Sequence, residues 1–312
     1  MALRKKARRR SQGADHPTNK APTGIAGLDE AMQGGLPRGR TTLVFGGPGC
    51  GKTVLALQSL VNGAGQREPG IFVAFEENSR QIIANASSFG WDLPGLQQRK
   101  LFFLDASLRP NVVRAGKFDL TALLAGLAVK VKALGAKRLV FDGIDVLLTL
   151  LDDPAAERAE LYRIHEWLIE NDLTGILTAK AAGTDPFSQA HYAFAAYMAD
   201  CALLLVRRHQ DVVSERDVSI LKYRGSAFSE NKSPFVIGPT GMEVAEQHSA
   251  IDTVAASTER LPTGVPRFDT MLKGGYFRAT TALITGLPGT AKSSLCGAFV
   301  EAAAADANEP CT

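Results

Sequence analysis

Cysteine is scarce and scattered: Cys50, Cys201, Cys296 and Cys311 are the only four, and they include no C-x-x-C pair. That spacing supplies neither a zinc ligand set nor a disulfide framework, and free thiols fit a reducing compartment. Long hydrophobic runs are missing as well. None reaches the roughly 18–20 residues needed to span a bilayer, and the basic N-terminus is not followed by the apolar core of a secretory signal. No membrane association is expected, and the expected location is the cytoplasm. Excess charge is also lacking in the body of the chain. The formal net charge is +3, but "RKKARRR" (Arg4 to Arg10) holds six of the 35 basic residues, which leaves 29 against 32 acidic ones, or −3. That tail reads as a solvated arm or as a contact for an acidic surface.

What is present is apolar bulk and alternation. The 312 residues are 45% hydrophobic, enough for one large core or two ordinary ones. Residues 1–20 read as a disordered basic leader, with order beginning near Thr23. "TTLVFGG" (Thr41 to Gly47) is an apolar, β-branched run closing in glycines. "KTVLALQSLVNGAG" (Lys52 to Gly65) follows with helical spacing and Val54, Leu57 and Val61 on one face. Strands and helices then alternate: "GIFVAFEE", "SRQIIANASSFG", "LFFLDA", "LTALLAGLAVKVKALG", "RLVFDGI", "AAERAELYRIHEWLIEN", "GILTAK". Repeated units of this length imply an α/β fold with a mainly parallel central sheet flanked by helices. "CALLLVRR", "DVSILKYRG" and "SPFVIGPTGMEV" come without long helical spacers and read as antiparallel additions at one side.

The chain also repeats itself. Thr23–Thr53 and Thr263–Ser293 align at a constant offset of 240 with 12 identities in 31 positions, among them Thr23/Thr263, Asp29/Asp269, Gly46/Gly286 and Lys52/Lys292. The expected organisation is a leader (1–20), a first domain (21–247), a linker (248–260) and the opening of a second domain (261–312).

Two stretches carry phosphate chemistry. "GGPGCGKT" (Gly46 to Thr53) fits G-x-x-x-x-G-K-[ST] between a strand and a helix. In such a loop Gly47, Gly49, Cys50 and Gly51 turn backbone amides toward a phosphate around Pro48, Lys52 reaches its terminal oxygens and the Thr53 hydroxyl ligates Mg²⁺. Cys50 fills a variable position or is a thiol made sensitive by the helix N-terminus. The second stretch, "GLPGTAKS" (Gly286 to Ser293), has Ala291 where the pattern asks for glycine. Hydrolysis further needs a metal anchor and a group to orient water. Asp142, closing "RLVF", is the candidate anchor, with Asp145 as the alternative. Glu76 and Glu77, closing "IFVAF", are candidates for the water or else belong to a solvated turn. Lys222 and Arg224 in "ILKYRG" leave one strand face, so they meet a triphosphate or simply face solvent.

"TGIAGLDEAMQGGLPRG", the intact loop, "VAFEEN", "NASSFGWDL", "LFFLDAS", "FDLTALL", "ILKYRG" and "SPFVI" resemble, in order and spacing, the first ATPase module of the KaiC family of circadian clock ATPases. The resemblance implies a RecA-like P-loop fold and a hexameric ring with ATP and Mg²⁺ between subunits. It implies that Glu76 and Glu77 are the catalytic pair, and that nucleotide is touched by Gly47 through Val54, Ser88, Asp142, Lys222 and Arg224. Lys180 stands where that family carries arginine and Phe228 where it carries histidine. "DPFSQAHYAFAAYMAD" departs from the family's partner-binding loop, so a KaiB-like partner is one expectation and another regulatory protein a second. Autokinase activity belongs to the family's second module and is not expected here, with one ATP expected per chain. RecA and RadA recombinases share the core, but the body shows no basic loop interleaved with aromatics, so nucleic acid is not expected. A non-hydrolysing, ATP-dependent scaffold is the remaining reading.

Overall fold

The computed structural model describes residues 20–106, 120–149, 151, 153–181, 190–210, 213–246 and 257–306. The arginine-rich tail and most of the linker lie outside them. The chain forms two compact units, Met1–Gln247 and His248–Thr312. No described helix is long and apolar enough to cross a membrane.

In the first unit, β1 (Lys20–Ala21) precedes α1 (Ala26–Ala31), β2 (Leu36–Pro37), β3 (Thr41–Gly46) and α2 (Lys52–Gly65). Then come β4 (Gly70–Ala74), α3 (Ser79–Ala86), a single 3₁₀ turn (Ser87–Phe89), α4 (Leu93–Gln97) and β5 (Leu101–Asp105). They are followed by α5 (Leu120–Leu134), β6 (Arg138–Asp142), α6 (Ile144–Leu148), α7 (Pro154–Glu170), β7 (Thr174–Lys180) and α8 (Ala190–Met198). The unit closes with β8 (Cys201–Gln210), β9 (Val213–Tyr223), β10 (Ser233–Gly238) and β11 (Gly241–Val244). Nine strands make one sheet in the order β11-β10-β9-β8-β3-β7-β6-β4-β5.

Every residue of β3, β4 and β6 is buried, as strands covered on both faces require, which is why they read as unbroken apolar runs. Alternate side chains divide between two layers. Leu43, Phe45, Val73 and Phe141 pack with Leu124, Leu127, Ile164 and Leu168 of α5 and α7. Val44, Phe72, Val140 and Ile176 pack with Leu55, Ala56, Leu60 and Ala64 of α2. The face α2 buries is therefore centred on Ala56, Leu60 and Ala64, whereas Val54 and Val61 are only half-buried. A further expectation is corrected. Cys201–Gln210 is not an antiparallel addition: α8 precedes it as a crossover, and it pairs parallel with β3. Within the nine-stranded sheet, antiparallel pairing is confined to β8–β9, β9–β10 and β10–β11. Lys20–Ala21, just ahead of Thr23, pairs with Leu36–Pro37.

The entry segment is fastened by a buried arginine paired with a partly exposed glutamate. Arg138, 2% exposed, donates to Glu68 (Nε, 2.7 Å), to the carbonyl of Pro22 (2.7 Å) and to that of Ser59 (2.8 Å). Arg38 also pairs with Glu68. Burial pulls the Arg138 pKa below its ordinary value, and Glu68 opposes the pull. Asp29 completes the fastening by accepting from the Thr23 amide (2.8 Å) and hydroxyl (2.7 Å) and from the Gly24 amide (3.0 Å).

The second unit repeats this turn physically. Asp269 accepts from the Thr263 amide (2.7 Å) and hydroxyl (2.6 Å), β12 (Arg260–Leu261) pairs with β13 (Tyr276–Phe277), and α9 (Pro266–Met271) and α10 (Lys292–Asp306) follow the pattern of α1 and α2. "TTALITG" is not a strand: among the described residues it has no pairing partner, and Leu283 and Leu287 are 87% and 77% exposed.

Arg138→Met leaves the carbonyls of Pro22 and Ser59 without their donor and Glu68 with Arg38 as its remaining partner. It is expected to destabilise the first unit by about 1–3 kcal/mol in urea unfolding; no measurable loss would show that the Pro22 and Ser59 carbonyls do not depend on it.

Candidate phosphate-binding site

The parallel strands β3, β4, β6 and β7 all end at one edge of the sheet, the side on which such sheets bind ligands. From the end of β3 the chain turns through Gly47–Gly51 into α2, whose N-cap, Gly51, offers no side-chain acceptor to the first helical amides. Those donors remain available to an anion. Gly51 has φ 102°, and a Cβ there would come within 2.8 Å of Ile237 and 3.1 Å of Met242, on the β10–β11 hairpin. Glycine is thus demanded by the backbone conformation, while Ile237 and Met242 meet it only with the ends of flexible side chains. In the second unit Ala291 adopts φ 59° at the matching position, a left-handed conformation that costs a non-glycine residue about 1 kcal/mol.

Cys50 forms the floor of the loop: it is fully buried, and its sulfur occupies the space a Cβ on Gly46 would need. Burial raises its thiol pKa against the pull of Lys52 and Arg216. The side chain is therefore a packing element, while the backbone belongs to the loop. Lys52 Nζ donates to the carbonyls of Gly46 (2.8 Å) and Gly47 (3.0 Å), so the ammonium is already held over the loop.

Asp142, at the end of β6, is 6% exposed. Its Oδ2 accepts from the Thr53 hydroxyl (3.0 Å) and its Oδ1 from the Thr178 hydroxyl (2.6 Å). Burial raises its pKa, opposed by those two bonds and by Lys52. Asp145, the alternative anchor, instead accepts from the backbone amide of Lys180 (3.1 Å). Thr178, which also accepts from the Gly143 amide (2.8 Å), was not among the expected residues. Its only signal was a hydroxyl inside the apolar run "GILTAK".

The two glutamates differ. Glu76 is paired with Lys180 Nζ at 2.5 Å, a contact that raises the lysine pKa. Glu77 is exposed, makes no hydrogen bond or ion pair with any described residue, and lines a small cavity with Thr53, Val54, Leu57, Ile82 and Phe89. Ser88 lies beside that cavity in the 3₁₀ turn, where its hydroxyl donates to the Asn85 carbonyl (3.2 Å).

Lys222 and Arg224 do not reach this edge. Tyr223 stands opposite Cys201, which stands beside Thr42 at the start of β3, so the cations lie at the amino edge. The length of β3, roughly 17 Å at ~3.3 Å per residue, separates them from the loop of their own chain. There they cap the C-terminus of α8. Lys222 donates to the carbonyls of Ala196 (2.9 Å), Tyr197 (2.7 Å) and Ala199 (2.6 Å), and Arg224 to that of Tyr197 (2.7 Å). Burial and the nearby Arg224 lower the Lys222 pKa.

Known proteins resemble this chain along most of its length. The family described as "ATPase: KaiC" matches residues 21–249 and again 261–312. The circadian clock protein KaiC2 of Synechocystis is 38% identical over 287 residues, covering 91% of this chain and 50% of its own length. The circadian clock oscillator protein KaiC of Parathermosynechococcus lividus is 37% identical over 286 residues, covering 90% and 52%. The chain thus spans about half the length of the curated relatives it matches. The crystal structure of a KaiC-like protein from the archaeon Pyrococcus horikoshii superimposes with a TM-score of 0.64 at 33% identity, covering 73% of this chain and all of that one. The fold is accordingly that of an α/β P-loop NTPase with a RecA-like core.

The burial of Cys50 and of Cys201, whose pKa is pushed up to about 12 by desolvation, contrasts with the exposed Cys296. Iodoacetamide at neutral pH is expected to label Cys296 promptly and Cys50 and Cys201 only after denaturation. Rapid native labelling of Cys50, located by peptide mass spectrometry, would contradict its place in the loop floor.

Proposed function

Because the chain belongs to the KaiC family of ATPases, we propose that its first unit binds ATP with Mg²⁺ in the loop Gly46–Thr53 and hydrolyses it to ADP and phosphate between copies of the chain. The observation that carries the reading is the Lys52–Thr53–Asp142 constellation at the mouth of a helix N-terminus. The Thr53 hydroxyl and Asp142 carboxylate, 3.0 Å apart, are hard oxygen donors of the kind Mg²⁺ takes in small number, with phosphate oxygens and water completing its shell. A bound Mg²⁺ would draw negative charge from the terminal phosphates. Lys52 adds a fixed cation to the same oxygens, and the loop amides supply preorganised donors.

Glu77 is the group free to orient the attacking water and take its proton. Glu76 is held in place by Lys180, which offsets the second carboxylate's charge beside the first. Lys222 and Arg224, too far from their own loop, fit the phosphates of a neighbouring copy. ATP is then part of the subunit interface, and its hydrolysis changes what holds a ring together. That ring, hexameric in this reading, presents its nucleotide state to a KaiB-like or other regulatory protein. The second unit contributes no second ATP site within this chain, since Ala291 replaces glycine and the run ahead of its loop forms no strand among the described residues. Autophosphorylation is correspondingly not proposed for it.

Three outcomes follow for purified protein. Lys52→Ala should abolish most ATP binding by calorimetry, and an unchanged affinity would overturn the assignment of the loop. Glu77→Gln should preserve binding but lower phosphate release by at least about 10²-fold; turnover within a few-fold of the parent would move the base elsewhere. The third concerns pH. Asp142 must be ionised to anchor the metal, so Mg²⁺-dependent binding should fail as pH drops through its raised pKa. Removing the Thr178 hydroxyl, which favours the charged form, must push that midpoint to higher pH. A Thr178→Val midpoint that stays put or moves down would contradict the role given to Thr178.

A further inference from the structure

The ladder that carries Lys222 ends one residue short of Arg224. β9 pairs with β8 as far as Cys201–Tyr223, past a register shift at Ala202/Leu203, and among the described residues β10 pairs with it only at Asp217 and Val218. Arg224 therefore lies beyond the last rung. Its amide donates to the Asp200 carbonyl (2.8 Å), and Gly225 then turns the chain away with φ 81°. A guanidinium that must meet a fixed target needs a firmer base than one such bond.

That base comes from the entry segment. Alternation along β9 turns Tyr223 to the face opposite Lys222 and Arg224, where it is buried in the α2 layer. Its hydroxyl donates to the Gly35 carbonyl (2.9 Å). Lys20 Nζ stands 4.4 Å from the centre of the Tyr223 ring, within cation–π range, and donates to the Ser226 hydroxyl (2.6 Å) and to the Met32 carbonyl at the end of α1. The Ser229 amide adds a bond to the Ala31 carbonyl (2.9 Å). Lys20 thus clasps the chain on both sides of Arg224, at Tyr223 and at Ser226.

We propose that Lys20 is a positioning residue for the amino-edge cations: it fixes the turn at Arg224, and with it the angle at which one copy of the chain presents Lys222 and Arg224 to the phosphates of the next. The inference rests on the reading of those two cations as acting between copies. Its effect belongs to the copy that offers the cations, and not to the copy whose loop holds the nucleotide.

That one-sidedness is what the test reads. Lys20→Met keeps the side-chain stem and removes the ammonium. The variant of the full chain is checked for folding by urea unfolding. Its phosphate release with ATP and Mg²⁺ is then measured alone and after mixing with Lys52→Ala or with Arg224→Ala, in samples shown by sedimentation to co-assemble. Alone, it should release phosphate at least about tenfold more slowly than the parent. Mixed with Lys52→Ala it should recover, since its intact loop can meet the intact amino edge of the other chain. Mixed with Arg224→Ala it should not, because neither chain then offers a sound amino edge. Ser226→Ala, which removes one acceptor and leaves the entry strand whole, should repeat the pattern at smaller amplitude, and it carries the test if Lys20→Met does not fold. Parental turnover in the folded variant, or rescue by Arg224→Ala rather than by Lys52→Ala, would refute the clasp and leave the role of the cations between copies standing. If Lys52→Ala and Arg224→Ala fail to rescue each other, that role fails and takes the clasp with it.

Discussion

A carboxylate taken out of water must be repaid by hydrogen bonds and neighbouring cations, and the carboxyl edge of the first unit's sheet is organised around that requirement at Asp142. The residue sits where β6 leaves the sheet, so its position is set by the parallel packing of β4, β6 and β7. Thr178 from β7 and Thr53 from α2 each give it a hydroxyl. Lys52 supplies the charge. Because Thr53 and Lys52 are adjacent on the first turn of α2, satisfying Asp142 also fixes where the loop amides point. In the proposed function, a metal entering here would take over bonds that now serve the carboxylate.

The sheet keeps two kinds of positive charge apart. At the carboxyl edge Lys52 is held over the loop within the same chain, and Arg207 lies beside Gly49. At the amino edge Lys222 and Arg224 are parked on the carbonyl end of α8, beside Tyr197, which is 74% exposed. No rotation of side chains carries a cation across the intervening length of β3. A role for the second group in phosphate chemistry therefore requires a second copy of the chain.

The loop and its lysine were legible because glycine spacing and a strand-to-helix setting are local features. Asp142 was legible because a carboxylate that closes a buried apolar strand emerges at the sheet's carboxyl edge, where ligands bind. What escaped depended on pairing. The parallel placement of Cys201–Gln210 follows from the short helix Ala190–Met198, which the apolar run "AHYAFAAYM" hides. Thr178 matters only once β7 is known to lie next to β6. The place of Arg224 beyond the last rung depends on the β8–β9 register, which shifts at Ala202/Leu203. In the second unit the repeated Thr–Asp turn was legible from identity alone, whereas "TTALITG" has strand composition without a strand partner.

The central claim is that the cations at the amino edge of one chain act on the phosphates bound by another. It is tested most directly by mixing two variants that are each inactive, Lys52→Ala and Arg224→Ala, and measuring phosphate release with ATP and Mg²⁺. A mixed assembly contains interfaces at which the intact loop of one copy meets the intact arginine of the other. The account predicts that mixing restores a measurable fraction of parental turnover, whereas turnover that stays at the level of the separate variants, in samples shown by sedimentation to co-assemble, would contradict it.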